Sequence, residues 1–338
     1  MSAIGTGPAA GTSRPRRATV KDVARAAGVG IGTVSRVLND DTAVSDAARD
    51  RVRAAIEALG YVRDHAARDL RAGRSRTVGL LVENVADPFY SHLQRALEHA
   101  LEGGDRALLA ASAGGSATRR RRLLEEFASR RIEGLVVTMP LDADESGIAA
   151  LAREGVHVVL VDRPALTFEA DSVMTDSRSG ARAAVAHLLA RGHRRVVAML
   201  DDDRHFTARE RRRGAQDAVD AADDAALLAY HDGADDAVVL DRLRGELASP
   251  HPPTAVFSGN SRTTVATLRA LRRLGSRLDH VGFDDLELAD LLDPPLTVVA
   301  QDPAAIGRSA ARMLLDRVGG WDGPARAELI DARLVVRS

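Results

Sequence analysis

The feature that most constrains the fold is an alternation of apolar runs and amphipathic segments that starts at Thr77. Short apolar runs such as TVGLLVEN, GLVVTMP and HVVLVDRP are typical of strands that are buried on both faces. The longer segments between them carry apolar residues at helical spacing. The pattern closes with LTVVAQD, a helix over 303–317 and a final strand, ELIDARLVV. This alternation predicts an α/β fold with parallel sheets that are covered by helices on both faces.

The carboxyl ends of these strands are the expected place for a small-molecule site, because ligands of open α/β sheets bind there. The ends carry Asn84, Asp87, Met139, Asp162, Arg163, Asp176, Asn260, Asp284 and Asp285. Phe89, which follows Pro88 at a helix start, is either a wall of that site or a core aromatic.

The segment that precedes this α/β body predicts three short helices. Thr19, followed by Asp22, is typical of a helix N-cap, and Gly28 ends the first helix at a tight turn. Ser45 is expected to cap the third helix and Gly60 to end it. Three helices with such a turn predict a helix-turn-helix module.

The second of these helices, over about 32–39, is expected to bury Val34 and Val37 and to present small or polar side chains outward. The outward set is Ile31, Gly32, Thr33, Ser35, Arg36 and Asn39. A helix that enters the DNA major groove must be slim and must carry donors that match base edges. A generic three-helix bundle with a solvated face remains the alternative.

Charge is divided unevenly along the chain. Residues 1–76 hold 14 Lys or Arg and 8 Asp or Glu, a net charge of +6, whereas the remainder has a net charge of −7. A basic front end on an acidic body is expected when one end binds a polyanion, although a solvated basic tail has the same charge.

A short segment, DHAARDLRA over 64–72, predicts another helix before a linker that ends at residue 76. Leu70 beside small alanines suits an apolar wedge that enters the DNA minor groove, and a helix packed on the body is the alternative. The expected organisation is a flexible arm at 1–17, the helix-turn-helix domain at 18–63, a hinge at 64–76 and the body at 77–338.

Several classes of protein are disfavoured by what the sequence lacks. It has no cysteine, which excludes disulfides and thiolate chemistry and fits a reducing cytoplasm. It shows no signal peptide and no apolar run of the roughly 20 residues that cross a bilayer. It also has no G-x-S-x-G, P-loop or G-x-G-x-x-G motif. We therefore expect a cytoplasmic protein that is not an enzyme, makes no membrane contact and carries no cofactor or metal.

The stretch ATVKDVARAAGVGIGTVSRVLNDD, with AARDL after it, resembles the DNA-binding head of the LacI/GalR family of bacterial transcriptional regulators. The resemblance continues through DPFY, VDRP, HLLARGHRRV, ARERRRG, GFDD and PPLTVVAQD, and covers about residues 18–338. It implies a homodimer that represses transcription from a pseudo-palindromic operator in double-stranded DNA. It also implies a body of two lobes, like periplasmic sugar-binding proteins, with a sugar or related metabolite bound between them as effector.

The resemblance implies a set of DNA-binding residues in the head and hinge. The set is Thr19, Ile31, Gly32, Thr33, Ser35, Arg36, Asn39 and Leu70. Ile31 and Gly32 fall where the family varies its base-reading pair, and Leu70 matches the leucine that wedges into the operator centre. Gly30 departs from the usual capping serine, a change that typically costs a few tenths of a kcal/mol.

Together with the strand ends, the resemblance gives a set of effector-binding residues: Asp87, Phe89, Arg163, Asp176, Arg211, Asn260 and Asp284. Arg211, three residues before Gly214, matches an arginine that clamps the effector in many relatives. Two positions depart from the family pattern: Ser261 stands where the family usually has an aspartate, and Ser177 where it usually has an asparagine. These departures leave the identity of the effector open.

Two expectations about the whole protein complete the analysis. We expect a dimer rather than a tetramer, because no leucine heptad follows the last strand. The competing function is a metabolite-binding protein or a sugar-acting enzyme whose front helices only mediate an interaction. The basic front end and the missing export signal argue against that alternative.

Overall fold

The computed structural model describes residues 18–38, 41–61, 75–231, 233 and 235–337. Two compact units divide between residues 72 and 73, inside the segment predicted as the hinge. Asn39 and Leu70, both predicted to contact DNA, lie outside the described residues, as does the predicted arm. Within the described ranges, no helix is long and apolar enough to cross a membrane.

The first unit contains the three helices that the sequence predicts. They are α1 (Val20–Ala27), α2 (Ile31–Leu38) and α3 (Asp46–Leu59). Val23, Val34 and Val52, one from each helix, are completely buried and form the centre of a small apolar core. Each helix therefore contributes its apolar face to the same core, as the spacing of these residues requires.

Local hydrogen bonds and backbone conformation determine where these helices begin and end. Thr19 and Asp22 form a reciprocal capping box, and Gly28 and Gly60 end their helices in the left-handed conformation, with φ of 63° and 57°. Ser45 is the N-cap residue of α3, but the predicted side-chain bond to the helix is not made. Three of the four predicted cap interactions in this unit are thus confirmed.

The second unit begins with a lobe that is built on one six-stranded sheet. Along the chain its elements are β1 (Thr77–Val82), α4 (Pro88–Glu102), β2 (Ala107–Ser112), α5 (Ala117–Ser129), β3 (Gly134–Val137), α6 (Ser146–Arg153), β4 (His157–Val161) and β5 (Asp171–Thr175). Except for β2 at the sheet edge, which is only partly buried, these strands are buried by apolar clusters on both faces of the sheet, which explains their uninterrupted apolar sequences.

The chain then enters a second lobe with the same plan. Its elements are α7 (Ser177–Ala190), β6 (Arg195–Met199), α8 (Phe206–Asp220), β7 (Ala226–Tyr230), α9 (Asp236–Leu247), β8 (Ala255–Ser258), α10 (Ser261–Leu274), β9 (Asp279–Phe283), a short 3-10 helix (Ala289–Leu291) and β10 (Thr297–Ala300). Apolar clusters again lie on both faces of the sheet.

The chain returns to the first lobe with α11 (Pro303–Val318) and β11 (Ala327–Ile330), and then ends in the second lobe with β12 (Arg333–Val335). The strand orders are β11-β5-β4-β3-β1-β2 and β12-β10-β9-β8-β6-β7. The described strand pairs are parallel except β10–β12, which is antiparallel. The expected two-lobed α/β fold with parallel sheets is confirmed.

The last strand pattern was interpreted wrongly. ELIDARLVV, predicted as one strand, is divided at Asp331 and Ala332 into β11 and β12, which belong to different sheets. Ile330 packs on the core of the first lobe, whereas Leu334 packs on the core of the second. The apolar residues on either side of the break therefore serve two separate cores, which the spacing of apolar residues does not reveal.

Two helix pairs approach each other closely at glycines. A Cβ atom added to Gly214 in α8 would lie 2.0 Å from the backbone oxygen of Arg178 in α7. A Cβ atom added to Gly307 in α11 would lie 2.7 Å from the backbone oxygen of Leu93 in α4. Both contacts involve backbone atoms, so no side-chain rotation can relieve them.

We expect Gly214→Ala to lower the free energy of unfolding by about 1–3 kcal/mol, because the added methyl group forces α7 and α8 apart. Chemical denaturation checks this value. Gly245→Ala in α9 is the matched control, since a Cβ atom there meets no atom within 4 Å. The control should stabilise the protein by up to about 1 kcal/mol through helix propensity. Equal stability of the two variants would contradict the close approach.

Candidate functional site

The first candidate site is the outward face of α2. Ile31, Gly32, Ser35 and Arg36 are exposed, and Thr33 is half-buried. Val34 and Val37 are buried on the opposite face. The described members of the predicted recognition set therefore share a surface that is accessible to a partner.

Thr19 lies exposed at the amino end of α1. Its hydroxyl group donates a hydrogen bond of 2.7 Å to Asp22 Oδ2, and Thr19 Oγ1 in turn accepts from Asp22 N at 3.4 Å. Its side chain is thus held in place by the capping box. Thr19 consequently has a structural role in addition to the DNA contact that the sequence predicts.

The second candidate site is a cleft with a volume of about 170 Å³ in the α/β unit. Its lining residues are Glu83, Asn84, Asp87, Phe89, Tyr90, Asp162, Asp201, His205, Thr207, Arg211, Asn260, Ser261, Arg262, Asp284 and Gln301. They follow strands or open helices in both lobes. Five of the seven residues predicted from the sequence line this cleft: Asp87, Phe89, Arg211, Asn260 and Asp284.

The first lobe contributes the amino end of α4. Asp87 is the N-cap residue of that helix and accepts a hydrogen bond of 3.0 Å from Phe89 N. Burial raises the pKa of the Asp87 carboxyl group above its ordinary value, and this hydrogen bond partly opposes the rise. The rings of Phe89 and Tyr90 meet edge to face, with centroids 5.1 Å apart. This helix end therefore brings a carboxylate and aromatic surface together in the cleft.

Asp162, which directly follows β4, is the most perturbed carboxyl group of the cleft. Its backbone is left-handed, with φ of 62°, a conformation that aspartate tolerates better than most residues. Burial raises its pKa to about 7; Arg211 opposes that rise, and Asp284 and Asp87 add to it. Its Oδ1 atom is buried and has no hydrogen-bond partner among the described residues.

Arg211 enters the cleft from α8 and is only 6% exposed. Its Nη1 atom donates to Gly259 O at 2.7 Å, and its guanidinium group lies 4.0 Å from the ring centre of Phe283. Its Nε atom is buried without a hydrogen-bond partner in the described part of the chain. The arginine is therefore fixed in orientation, and its buried Nε–H donor is not used among the described residues.

Asn260 and Asp284 complete the second lobe's side of the cleft. Asn260 caps α10 by accepting from Thr263 N at 2.8 Å, and its Nδ2 atom donates to Asp201 Oδ2 at 3.1 Å. Asp284 Oδ2 accepts from the backbone N–H of Ser261 at 2.9 Å. Ser261, which departs from the family pattern, thus binds Asp284 through its backbone N–H group. This contact does not depend on the serine side chain.

Arg163 and Asp176 were assigned to the effector site from the sequence, but the structure does not bring them into the cleft. Arg163 is 1% exposed; it donates to Pro140 O at 2.7 Å and forms an ion pair with Glu145. Asp176 caps α7 by accepting from Ser179 N at 3.0 Å. Both side chains are used within the fold.

The neighbouring Asp162 lines the cleft instead of Arg163. The left-handed backbone at Asp162 decides which of the two side chains faces the cleft, and the strand pattern did not reveal this conformation. Asp162 and Asn84 were expected at strand ends. Tyr90 and Asp201 were missed, although Tyr90 adjoins Phe89 and Asp201 follows β6, and these positions were the signal that could have found them. His205 and Thr207, at the start of α8, carried no such signal.

The cleft offers carboxylates, amides, hydroxyl groups, a guanidinium group and aromatic rings within one cavity. Such a mixture suits a small molecule with several hydrogen-bonding groups, because a few convergent polar groups fix the orientation of a ligand.

Comparison with known proteins relates both units to one family. The family model described as bacterial regulatory proteins, lacI family, matches residues 19–64. The model described as periplasmic binding protein-like domain matches residues 185–338. The first match covers α1 to α3, and the second covers most of the second lobe and the returning segments.

Individual relatives match over nearly the whole chain. The HTH-type transcriptional regulator CelR of Thermobifida fusca is 35% identical over 339 residues, which cover 96% of this chain and 98% of the relative. The ribose operon repressor of Escherichia coli K12 is 31% identical, with 89% and 93% covered. A solved structure described as a transcriptional regulator CelR–cellobiose complex is 30% identical, has a TM-score of 0.69 and covers 95% of this chain and 99% of that one.

We expect Asp162→Asn to stabilise the protein relative to the parent as pH rises. The pKa of Asp162 is about 7 when folded and 3.8 ordinarily, so between these values the folded chain retains a proton that the unfolded chain releases. The contribution of Asp162 to stability therefore falls as pH rises from about 4 to about 7, by at most about 1.4 kcal/mol per pH unit. The Asp162→Asn variant has no carboxyl group at this position to titrate, so its stability does not decrease with pH for this reason.

Denaturation of parent and variant at pH 4, 6 and 8 measures the effect. Asp223→Asn, at an exposed aspartate on the turn after α8, controls for the loss of a surface carboxylate. A stability difference between Asp162→Asn and the parent that does not change with pH would show that Asp162 titrates normally.

Proposed function

Since this chain belongs to the LacI family of bacterial regulatory proteins, we propose that it is a transcriptional repressor that binds a pseudo-palindromic operator as a homodimer. A sugar or a related small metabolite in the cleft regulates that binding. In this proposal, residues 18–63 read DNA, 64–76 form the hinge and 77–338 bind the effector and the second copy.

The exposed face of α2 is the observation that carries the proposal. Its apolar residues Val34 and Val37 are buried in the head core, which leaves the opposite face accessible. That face presents an aliphatic side chain, Ile31, and a guanidinium group, Arg36, with small residues around them. An aliphatic group can contact the methyl group of thymine, and a guanidinium group can bind guanine through two hydrogen bonds.

Two further members of the proposed DNA-binding set, Asn39 and Leu70, lie outside the described residues. The family resemblance supports a base contact for Asn39 and a minor-groove wedge for Leu70. Gly32 has no side chain with which to read a base, so Ile31 and Arg36 carry a larger share of direct readout.

The composition of the cleft supports a hydroxyl-bearing effector. A relative with 31% identity is a ribose operon repressor, and a 30% identical solved structure is a complex with cellobiose. Arg211, Asn260 and Asp284 supply donors and acceptors in the second lobe, and Phe89 adds an aromatic ring from the first. Pentoses, hexoses and disaccharides are therefore the first effectors to test.

A gel-shift assay with DNA from upstream of the protein's own gene tests the function directly. We expect a retarded complex that persists against scrambled competitor DNA of the same length at fixed salt. Addition of the cognate sugar should change the fraction of bound DNA. Equal affinity for the upstream and scrambled DNA would reject the role as a specific regulator.

We expect Arg36→Ala to weaken operator binding by about 1–3 kcal/mol, the range for loss of a two-bond base contact. Titration of operator and scrambled DNA at the same salt concentration measures it. Arg53→Ala, at an exposed arginine on α3, removes the same charge and serves as the control. If Arg36→Ala weakens both DNAs equally, the side chain binds phosphate and does not read a base.

We expect Arg211→Ala to weaken effector binding about 10- to 100-fold while operator affinity is retained, since a charged hydrogen bond contributes about 1.5–3 kcal/mol. Calorimetric titration and gel shifts on the same preparation give the two values. Arg213→Ala, at an exposed arginine on the same helix that pairs with Glu210, is the matched control. An unchanged effector titration would move the binding site away from Arg211.

A further inference from the structure

Three residues that line the cleft have a buried polar atom without a hydrogen-bond partner in the described structure. These atoms are Glu83 Oε1, Asp162 Oδ1 and Arg211 Nε. Two are carboxylate oxygens, which accept hydrogen bonds, and one is a guanidinium nitrogen, which donates. Glu83 Oε1 also lies 3.9 Å from Arg120 Nη1, an ion pair that is too long for a hydrogen bond. Buried polar atoms in a native protein are normally hydrogen-bonded, so these three atoms define hydrogen bonds that a ligand can make.

The cleft is also rich in negative charge. Its lining carboxyl groups are Glu83, Asp87, Asp162, Asp201 and Asp284. Only two arginines line it, Arg211 and Arg262, and Arg262 is exposed. Arg211 already donates to Gly259 O and lies over the ring of Phe283. Arg120, which does not line the cleft, pairs with Glu83 at 3.9 Å, so the five lining carboxyl groups still outnumber the neighbouring guanidinium groups.

We propose that the cleft selects an uncharged polyhydroxylated ligand and excludes phosphorylated or carboxylate-bearing ligands of the same shape. This inference rests on the proposed effector role of the cleft. It concerns the charge of the effector, which neither the fold nor the family decides.

Hydrogen bonding supports the selection because a hydroxyl group both donates and accepts. It can donate to Asp162 Oδ1 or Glu83 Oε1 and accept from Arg211 Nε. Above pH 7, where the Asp162 carboxyl group is ionised, a phosphate dianion or an ionised carboxylate can only accept, so it leaves both carboxylate oxygens unpaired. An unpaired buried acceptor retains its full desolvation cost.

Electrostatics acts in the same direction. Asp162 is faced by Asp87 and Tyr90 from α4, by Asp284 from the end of β9 and by Arg211 from α8. An anionic ligand beside Asp162 would meet the repulsion of this carboxyl cluster in a partly desolvated site, where charges interact more strongly than in water. Arg211, Arg262 and Arg120, the partner of Glu83, are fewer than the five carboxyl groups that line the cleft, so they do not compensate for that repulsion.

Matched pairs of compounds test the proposal by calorimetric titration of the full-length protein at pH 8, where the Asp162 carboxyl group is ionised. The pairs are D-ribose and D-ribose 5-phosphate, D-glucose and D-glucose 6-phosphate, D-glucose and D-glucuronate, and cellobiose and cellobiose 6′-phosphate. We expect at least one uncharged member to bind and its anionic partner to bind at least about 100-fold more weakly, equivalent to about 2.7 kcal/mol. An anionic member that binds as tightly as its partner overturns the proposal, as does a panel in which no uncharged member binds.

Charge-neutral variants locate the source of the selection. Glu83→Gln and Asp162→Asn should each narrow the gap between the members of a pair about tenfold, whereas Asp223→Asn outside the cleft should preserve it. Circular dichroism and gel shifts on each variant verify the fold and DNA binding. Specific operator binding without charge selection would reject this inference and leave the regulator function intact, whereas loss of specific operator binding by the parent would reject the function itself.

Discussion

Two aspartates in the left-handed conformation, one in each lobe, place carboxyl groups in the cleft. Asp162 follows β4 and Asp284 follows β9, with φ of 62° and 73°. Each donates its backbone N–H to the adjacent strand, Asp162 to Val173 O at 3.1 Å and Asp284 to Val299 O at 2.9 Å. β4 and β9 both stand third in the strand orders of their sheets. The same left-handed turn therefore follows the equivalent strand in each lobe. The cleft depends on this repeated backbone geometry.

The cleft is also bonded to the segments where the chain passes between the lobes. Gln301 follows β10 at such a crossing and donates to Asp284. It accepts a hydrogen bond from Thr175, which ends β5 at another crossing. The side-chain amide of Gln301 therefore connects Asp284 in the cleft to two of the crossing segments by hydrogen bonds.

Much of the architecture could be predicted because local physics determines it. The capping box at Thr19 and the left-handed Gly28 depend on neighbouring residues alone, and the buried strands follow from their apolar runs. The errors occurred where tertiary geometry decides. The choice between Asp162 and Arg163 depends on one backbone angle, and the break in ELIDARLVV depends on the separation of two sheets. Neither is encoded in the spacing of apolar residues.

Two buried aspartates of the first lobe, Asp171 and Asp162, differ in their hydrogen-bond partners and therefore in the direction of their pKa shifts. Asp171, at the start of β5, has a completely buried side chain; although burial raises its pKa, hydrogen bonds from Arg317 and Arg326 hold the value at about 2. Both arginines also contact the ring of Trp321, at 4.2 and 4.1 Å. Asp162 Oδ1, at the end of β4, has no hydrogen-bond partner among the described residues, and the pKa of this carboxyl group rises to about 7. A buried carboxyl group of this kind must be hydrogen-bonded by a ligand or by ordered water, which makes Asp162 a candidate for ligand binding, whereas Asp171 is already fully paired within the fold.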